Sequence, residues 1–144
     1  MDEKLSFSQR FSRNFSCTSE NGLRYRLRYL HIDWDGPIDE MYDKVVADRY
    51  IPESDTWMAL PSKLSLRSQF LLFTAADPQW PPDPHTVVAM GHDGTSLWFE
   101  YEEDLDEMRW GRAHSRWRAS FSDKRQRWTI QHLNYLKNSN TNTK

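Results

Sequence analysis

The sequence predicts an α+β fold in which helices pack on one face of a curved antiparallel sheet. Apolar residues recur at roughly helical spacing in the first half of the chain, and the second half alternates between apolar and polar residues as strands do. A chain of 144 residues can bury a core without disulfides, so residues 1–137 are expected to form a single α+β domain. Residues 138–144 lack apolar side chains and are expected to be a disordered tail.

The predicted sheet runs from His85 to Leu136. Its first hairpin turns at Asp93-Gly94, which tolerates the positive φ angles of tight turns, and its last turns through the polar stretch 122–126. Period-two alternation sorts the strand residues into two faces. The faces expected to be buried carry Leu97, Phe99, Tyr101, Ala113, Ser115, Trp117, Ala119 and Phe121. The outward face carries Arg112, His114, Arg116 and Arg118, and these arginines are expected to pair with Glu100 and Glu102 across strands.

Three helices are predicted in the first half of the chain. They are a helix with Leu5, Phe7, Phe11 and Phe15 that ends near Asn21-Gly22, a helix from Pro37 to Val46, and a helix capped by Ser62 that runs to Ala75. Residues 23–32 alternate like a strand but also carry a helical stripe of leucines, so both interpretations stay open here. The segment 47–57 is predicted to be extended, and the proline-rich stretch 76–84 to be a rigid loop.

Composition argues against several classes of protein. A formal charge of −2 is not that of a general nucleic-acid binder, and the acidic run 100–107 would repel phosphates from the Arg- and Trp-rich stretch that follows it. The single Cys17 excludes an intramolecular disulfide and a four-cysteine zinc site. The N-terminus does not resemble a signal peptide and no apolar run has membrane-spanning length, so the protein is expected to be cytoplasmic, with no nucleic-acid or membrane partner.

No motif indicates a bound metal or cofactor. The spacing of the five histidines matches no metal site, and the five glycines form no phosphate-binding loop. No serine lies in a nucleophile elbow. We therefore expect no metal and no cofactor.

The C-terminal segment Arg112–Leu133, with the sequence RAHSRWRASFSDKRQRWTIQHL, resembles the nuclear transport factor 2-like superfamily. In that family, which includes SnoaL-like polyketide cyclases and scytalone dehydratase, the last two strands often read as an alternating run, a polar turn, and a Trp followed by an apolar strand with a late His. Trp128 and His132 fit this pattern, and the predicted helix 38–46 falls where the family has a short helix. The resemblance implies a cone-shaped α+β barrel whose helices close a bent sheet over an apolar cavity.

The resemblance also implies a catalytic site. Asp33 matches the place where the family has a cavity-facing Tyr or Asp, so it is the candidate general acid or base, with His132 or His114 as its counterpart. A carboxylate or imidazole in a dry pocket has a pKa shifted toward neutrality, as proton abstraction or dehydration requires. The aromatic residues expected to bind substrate are Trp34, Tyr42, Trp57, Phe99, Trp117 and Trp128. The structural alternative is that Asp33 caps a turn and His132 is a hydrogen-bonded core residue.

The function implied is that of a cofactor-independent lyase or isomerase. It would be a cyclase or dehydratase acting by acid–base catalysis on a small apolar, polyketide- or terpenoid-like metabolite. The alternative is a non-catalytic module of the same fold that binds a protein partner or forms a homodimer through its Arg and Trp face. An open apolar cavity with a titratable group would favour the enzyme, and a cavity packed solid by Trp98, Trp117 and Trp128 would exclude it.

Overall fold

The computed structural model describes residues 6–35, 39–72, 78–104 and 114–133, with only the backbone for residues 32–35, 39–42, 104 and 114. Its helices are α1 (Phe7–Asn14) and α2 (Leu66–Leu71), with a 3₁₀ turn at Pro84–Thr86. Its strands are β1 (Ser16–Thr18), β2 (Arg24–Asp35), β3 (Asp39–Ile51), β4 (Thr56–Ala59), β5 (Val87–His92), β6 (Leu97–Asp104), β7 (His114–Ser122) and β8 (Arg127–His132). Within these ranges neither helix has the length or apolar character needed to cross a membrane.

The strands form two antiparallel sheets of four strands each, with the orders β1-β2-β3-β4 and β5-β6-β7-β8. The fold is therefore α+β, as predicted, but it has two sheets and few helices. The sheets are not closed, and the predicted cone-shaped barrel is not confirmed. One hydrophobic core draws on both sheets, with Tyr25 and Leu27 from the first and Phe99, Trp117 and Trp128 from the second.

The predicted helix from Pro37 to Val46 is wrong over residues 39–46, which belong to strand β3, while residues 37 and 38 lie outside the described part of the chain. Strands β2 and β3 pair from Tyr25 opposite Arg49 to Asp35 opposite Asp39. Alternation in β3 buries Val45 and Ala47 in the core, a period of two that a helix cannot produce. The same pairing settles residues 23–32 as a strand that buries Tyr25 and Leu27. The predicted extended segment 47–57 is confirmed in β3 and β4, interrupted by a turn at residues 52–55.

Helix α1 is shorter than predicted. Ser6 caps it by accepting a hydrogen bond from the Gln9 backbone, while the Gln9 side chain accepts one from the Ser6 backbone. The helix ends at Asn14 rather than near Asn21, because the chain then forms β1, whose Cys17 pairs with Tyr25. Phe11 is the residue of α1 that is buried in the core.

Helix α2 also differs from the prediction. Its cap is Ser65 rather than Ser62, and the described helix ends at Leu71, while residues 73–75 of the predicted helix lie outside the described part of the chain. The apolar side was expected to pack inward, yet Leu66 is 75% and Phe70 is 70% exposed. Residues 63–65 do not join the helix, because they pair alongside β8: the Ser65 backbone donates to the Trp128 carbonyl at 2.8 Å.

The proline-rich loop packs into the core. Pro78, Pro82 and Pro84 are fully buried, and the Trp80 ring stacks on Phe99 with centroids 6.1 Å apart. The Val45 backbone donates to the Pro82 carbonyl at 3.0 Å, which ties the loop to the first sheet. The predicted irregular loop is confirmed over residues 78–83, and residues 76–77 lie outside the described chain.

The second sheet matches its prediction closely. The β5–β6 hairpin turns at Gly94, whose φ of +100° requires glycine-like freedom, and the Asp93 carboxylate accepts hydrogen bonds from the Thr95 and Ser96 backbones. All the residues predicted to be buried between Leu97 and Phe121 that are described are buried, and they are Leu97, Phe99, Tyr101, Ser115, Trp117, Ala119 and Phe121. The predicted cross-strand pairing of Glu100 and Glu102 with arginines is also confirmed.

Candidate functional site

Three of the predicted substrate-binding residues lie in the core. Phe99, Trp117 and Trp128 are each at most 2% exposed, and Trp128 packs edge-on against Phe99 with ring centroids 5.4 Å apart. A cavity lined in part by Phe99 and Trp128 holds only about 90 Å³. Ligand pockets for drug-sized molecules hold roughly 300–1,000 Å³, so this cavity does not admit a polyketide-like metabolite.

The remaining predicted residues are spread over both sheets. Asp33 pairs with Met41 near the tip of the β2–β3 hairpin, where Trp34 and Tyr42 also lie, and His114 opens β7 opposite Asp104. The side chains of Asp33, Trp34, Tyr42 and His114 are outside the described part of the structure. His132, at the end of β8, belongs to the other sheet from Asp33.

His132 lies over the end of the second sheet's inner face. Its Nε2 is 3.2 Å from the Ser115 hydroxyl, and its ring packs on the Trp117 indole with centroids 4.4 Å apart. Partial burial lowers the pKa of His132 below its ordinary value, because desolvation disfavours the imidazolium. A hollow of about 420 Å³ between α2 and β8 is lined by His132 together with Arg67, Ser68, Leu71, Thr129, Ile130 and Gln131.

Another site is a cationic groove on the outer face of the first sheet, here called the arginine groove. It measures about 420 Å³ and is lined by Ser12, Arg13, Ser16, Cys17, Thr18, Arg24, Tyr25, Arg26 and Trp57. Three of these residues are arginines and none is acidic. Helix α1 and strands β1, β2 and β4 supply them, because pairing in register sets Ser16 opposite Arg26 and Thr18 opposite Arg24.

Aromatic rings position two of the arginines. The Arg24 guanidinium lies 4.6 Å from the Tyr50 ring centroid, and that of Arg26 lies 4.3 Å from the Trp57 ring centroid. A guanidinium stacked on a ring keeps its N–H donors at the edge of its plane, available to an oxyanion. Trp57 is thus the one predicted substrate-binding aromatic that the structure describes in an open groove rather than in the core.

Asp48 forms ion pairs with two arginines of β2, Arg26 and Arg28. Its carboxylate is 1% exposed and accepts hydrogen bonds from Arg26 Nε at 2.9 Å and from Arg28 Nε at 2.7 Å. The bond to Asp48 raises the pKa of Arg28 further above its ordinary value. Arg13 and Arg24 have no carboxylate partner among the residues that the structure describes. The period-two spacing of Arg24 and Arg26 is that of one face of a strand, but no motif in the sequence indicates their role.

Sequence spacing did not predict a second cluster, formed by Asp43, Asp83 and His85. One potential ligand atom from each lies within 4.8 Å of the others, so the three could hold a divalent cation. All three residues already form hydrogen bonds. His31, which lies outside the cluster, bonds through Nδ1 to Asp43 at 2.5 Å, and within the cluster His85 Nδ1 bonds to Asp83 at 2.9 Å. The bonds from His31 and from Tyr29 lower the pKa of Asp43.

Cys17 lines the arginine groove as a free thiol. Burial raises its pKa, so the thiolate that a nucleophile requires is disfavoured at neutral pH. We therefore interpret the groove as a binding site and not as a site where Cys17 attacks a ligand.

No protein-family model, curated protein or solved structure matches this chain. Functional inference therefore rests on the geometry of the described residues.

Proposed function

We propose that this protein binds a small organic anion, a carboxylate or a phosphate, in the arginine groove. The observation that carries the proposal is the arrangement of Arg13, Arg24 and Arg26 around a groove of about 420 Å³ to which the described residues contribute no acid. Asp48 neutralises part of this charge, but it lies beneath Arg26 and Arg28 and leaves Arg13 and Arg24 without a carboxylate partner among the described residues.

The chemistry of the groove suits an oxyanion attached to a flat or apolar body. Arg24 is held against Tyr50 and Trp57, so little side-chain freedom is lost when it binds. Hydroxyls of Ser16 and Thr18 add hydrogen-bond donors, and the Trp57 ring supplies apolar contact. An arginine–oxyanion pair with two parallel hydrogen bonds is stronger and more directional than one made by lysine.

Isothermal titration with benzoate, citrate and adenosine monophosphate tests the proposal. We expect at least one of them to bind, and R24A to weaken its binding by roughly tenfold to a hundredfold, since a hydrogen bond to a charged group contributes roughly 1.5–3 kcal/mol. R24K should recover only part of the loss, because lysine keeps the charge without the planar fork. R127A, which removes a cation from another face, is the matched control. Failure of all three anions, or equal binding by R24A and R127A, would contradict the proposal.

A second candidate function is the lyase or isomerase activity implied by the resemblance to the nuclear transport factor 2-like family. One observation favours it: His132 has a lowered pKa and borders a hollow of about 420 Å³, so a neutral imidazole is available there as a general base. Exchange of the acidic protons of benzoylacetone with heavy water, followed by NMR, tests this chemistry. H132Q should abolish any catalysed exchange and Q131A should not, whereas equal exchange by both variants removes His132 as the base.

The other parts of the sequence-based hypothesis stay predictions. They are the family membership itself, the cone-shaped cavity, a homodimer through the outward Arg and Trp face, and a cytoplasmic location. Arg116 and Arg118 of that face are ion-paired with Glu100, so a partner would meet neutralised pairs rather than free cations.

A further inference from the structure

Helix α2 presents two large apolar side chains to solvent. Leu66 and Phe70 are 75% and 70% exposed, well above the 46% of Met58, the next large apolar residue. They stand four positions apart, so they lie on the same face of the helix. Single exposed apolar residues are ordinary on protein surfaces, but two neighbouring ones with this exposure form a patch.

Four cations lie beside Leu66 in a neighbouring hollow. This hollow of about 680 Å³ is lined by Lys63, Ser65, Leu66, Arg67, Gln69, Arg125, Arg127 and Thr129, so the described residues contribute four cations and no acid to it. Backbone pairing holds the two cationic segments side by side, because the Trp128 backbone donates to the Lys63 carbonyl at 2.9 Å. No carboxylate among the described residues forms an ion pair with Lys63, Arg67, Arg125 or Arg127.

The charge of the patch opposes that of the whole chain. The formal net charge is −2, so the residues outside these four cations carry an excess of acids. An anionic surface therefore attracts this side of the molecule and repels the acidic residues elsewhere, which favours one orientation of approach. Two exposed apolar side chains beside a cluster of cations match a bilayer interface, which accepts apolar side chains below its charged headgroups.

We propose that the face formed by α2 and the β7–β8 turn docks on an anionic phospholipid membrane, with Leu66 and Phe70 entering the interface. Lys63, Arg67, Arg125 and Arg127 then meet the headgroup phosphates. The sequence predicted no membrane partner because it has no spanning run, but a protein that lies on the membrane surface needs none. This surface is separate from the arginine groove, and neither proposal depends on the other.

Co-sedimentation with lipid vesicles tests the proposal. The protein should partition onto vesicles of phosphatidylcholine mixed with phosphatidylserine and not onto phosphatidylcholine alone, with binding that weakens as salt rises. The double variant R125E/R127E should lose at least about tenfold in partitioning, since each cation near such a surface contributes about fivefold. L66S/F70S should lose partitioning as well, while circular dichroism shows an intact fold because both side chains are exposed.

Two control variants distinguish binding through the patch from nonspecific binding to vesicles. M58S removes an exposed apolar side chain from the first sheet, and K44E reverses a cation of strand β3 that lines neither the patch nor the arginine groove. Both should bind the anionic vesicles as the unmodified protein does. The proposal is overturned by a lack of binding to anionic vesicles, or by patch variants that bind as well as M58S and K44E.

Discussion

Asp48 and Glu100, in different sheets, occupy the same kind of site. Each is a carboxylate on the outer face of its sheet that is nevertheless at most 8% exposed, because two arginines of the neighbouring strand cover it. The pairs are Arg26 and Arg28 for Asp48, and Arg116 and Arg118 for Glu100. One arginine of each pair also stacks on a tryptophan, Arg26 on Trp57 and Arg118 on Trp98.

Replacing Asp48 by Asn should destabilise the protein. The amide cannot neutralise Arg26 and Arg28, whose guanidiniums would stay close together over a nearly buried neutral group. Both arginines are about a third exposed, so water screens part of the loss, and we expect the free energy of unfolding to fall by about 1–3 kcal/mol. Urea unfolding measures this change.

The matched control is Asp55→Asn, which alters an exposed turn carboxylate that is bonded to Tyr50. Its positive φ of 53° suits asparagine as well as aspartate, so its unfolding free energy should change by less than about 0.5 kcal/mol. Equal losses of unfolding free energy in both variants would show that the position of Asp48 beneath its arginines adds nothing to the stability.

Glu100 should make stability depend on pH in the acid range. Burial alone raises its pKa, but the hydrogen bonds from Arg118 and Arg116 outweigh burial and lower the pKa below its ordinary value. The stabilisation is therefore complete above the unfolded-state pKa of about 4.3 and is lost as the pH falls through the lower folded-state pKa. Urea unfolding at a series of pH values should show a shallower acid decline for E100Q than for the unmodified protein. An identical decline in both would contradict this assignment.

The second sheet was predictable because its signals are local. Asp93-Gly94 and the alternation from Leu97 to Phe121 depend on neighbouring residues alone, and the structure confirms both. The β2–β3 hairpin was not predictable in this way, because Pro37 and the acids after it favour a helix start. Pairing of β3 with β2 over eleven positions outweighs that local preference. The prediction for helix α2 was wrong for a similar reason. Leu64 pairs with Trp128, so the first residues of the predicted helix lie alongside β8 instead.

The candidate sites were harder to predict than the fold. Aromatic residues were expected to line a cavity, but Phe99, Trp117 and Trp128 fill the core, and composition cannot distinguish these two uses. The arginine groove needs α1, β1, β2 and β4 to be placed together, which no local pattern encodes. Trp57 belongs to it only because the pairing of Ile51 with Thr56 turns β4 back along β3, where the Trp57 ring contacts Arg26 of β2.

Phenylalanine substitutions at two buried indoles should differ in cost. Trp117 and Trp128 are 1% and 2% exposed, so both lose similar packing. Trp128 Nε1 donates to the Pro61 carbonyl at 2.7 Å, whereas Trp117 Nε1 is buried and has no acceptor among the described residues. W128F loses a hydrogen bond, whereas W117F removes an unsatisfied donor. The free energy of unfolding of W128F should therefore be lower than that of W117F by about 1 kcal/mol. An equal or reversed order in urea unfolding would mean that Trp117 Nε1 has a partner in solution, such as a water.

His132 should titrate below its ordinary pKa and make stability fall in mildly acid solution. Desolvation disfavours its imidazolium, so the unfolded chain takes up this proton at a higher pH, about 6.5, than the folded protein does. The free energy of unfolding should therefore decrease as the pH falls from about 6.5 through the folded-state pKa, and H132Q should remove this part of the slope. Q131N, an exposed neighbour that does not titrate, should keep it. NMR titration of the imidazole measures the pKa directly, and a His132 midpoint at or above 6.5 would contradict both the desolvation of its ring against Trp117 and its use as a neutral base.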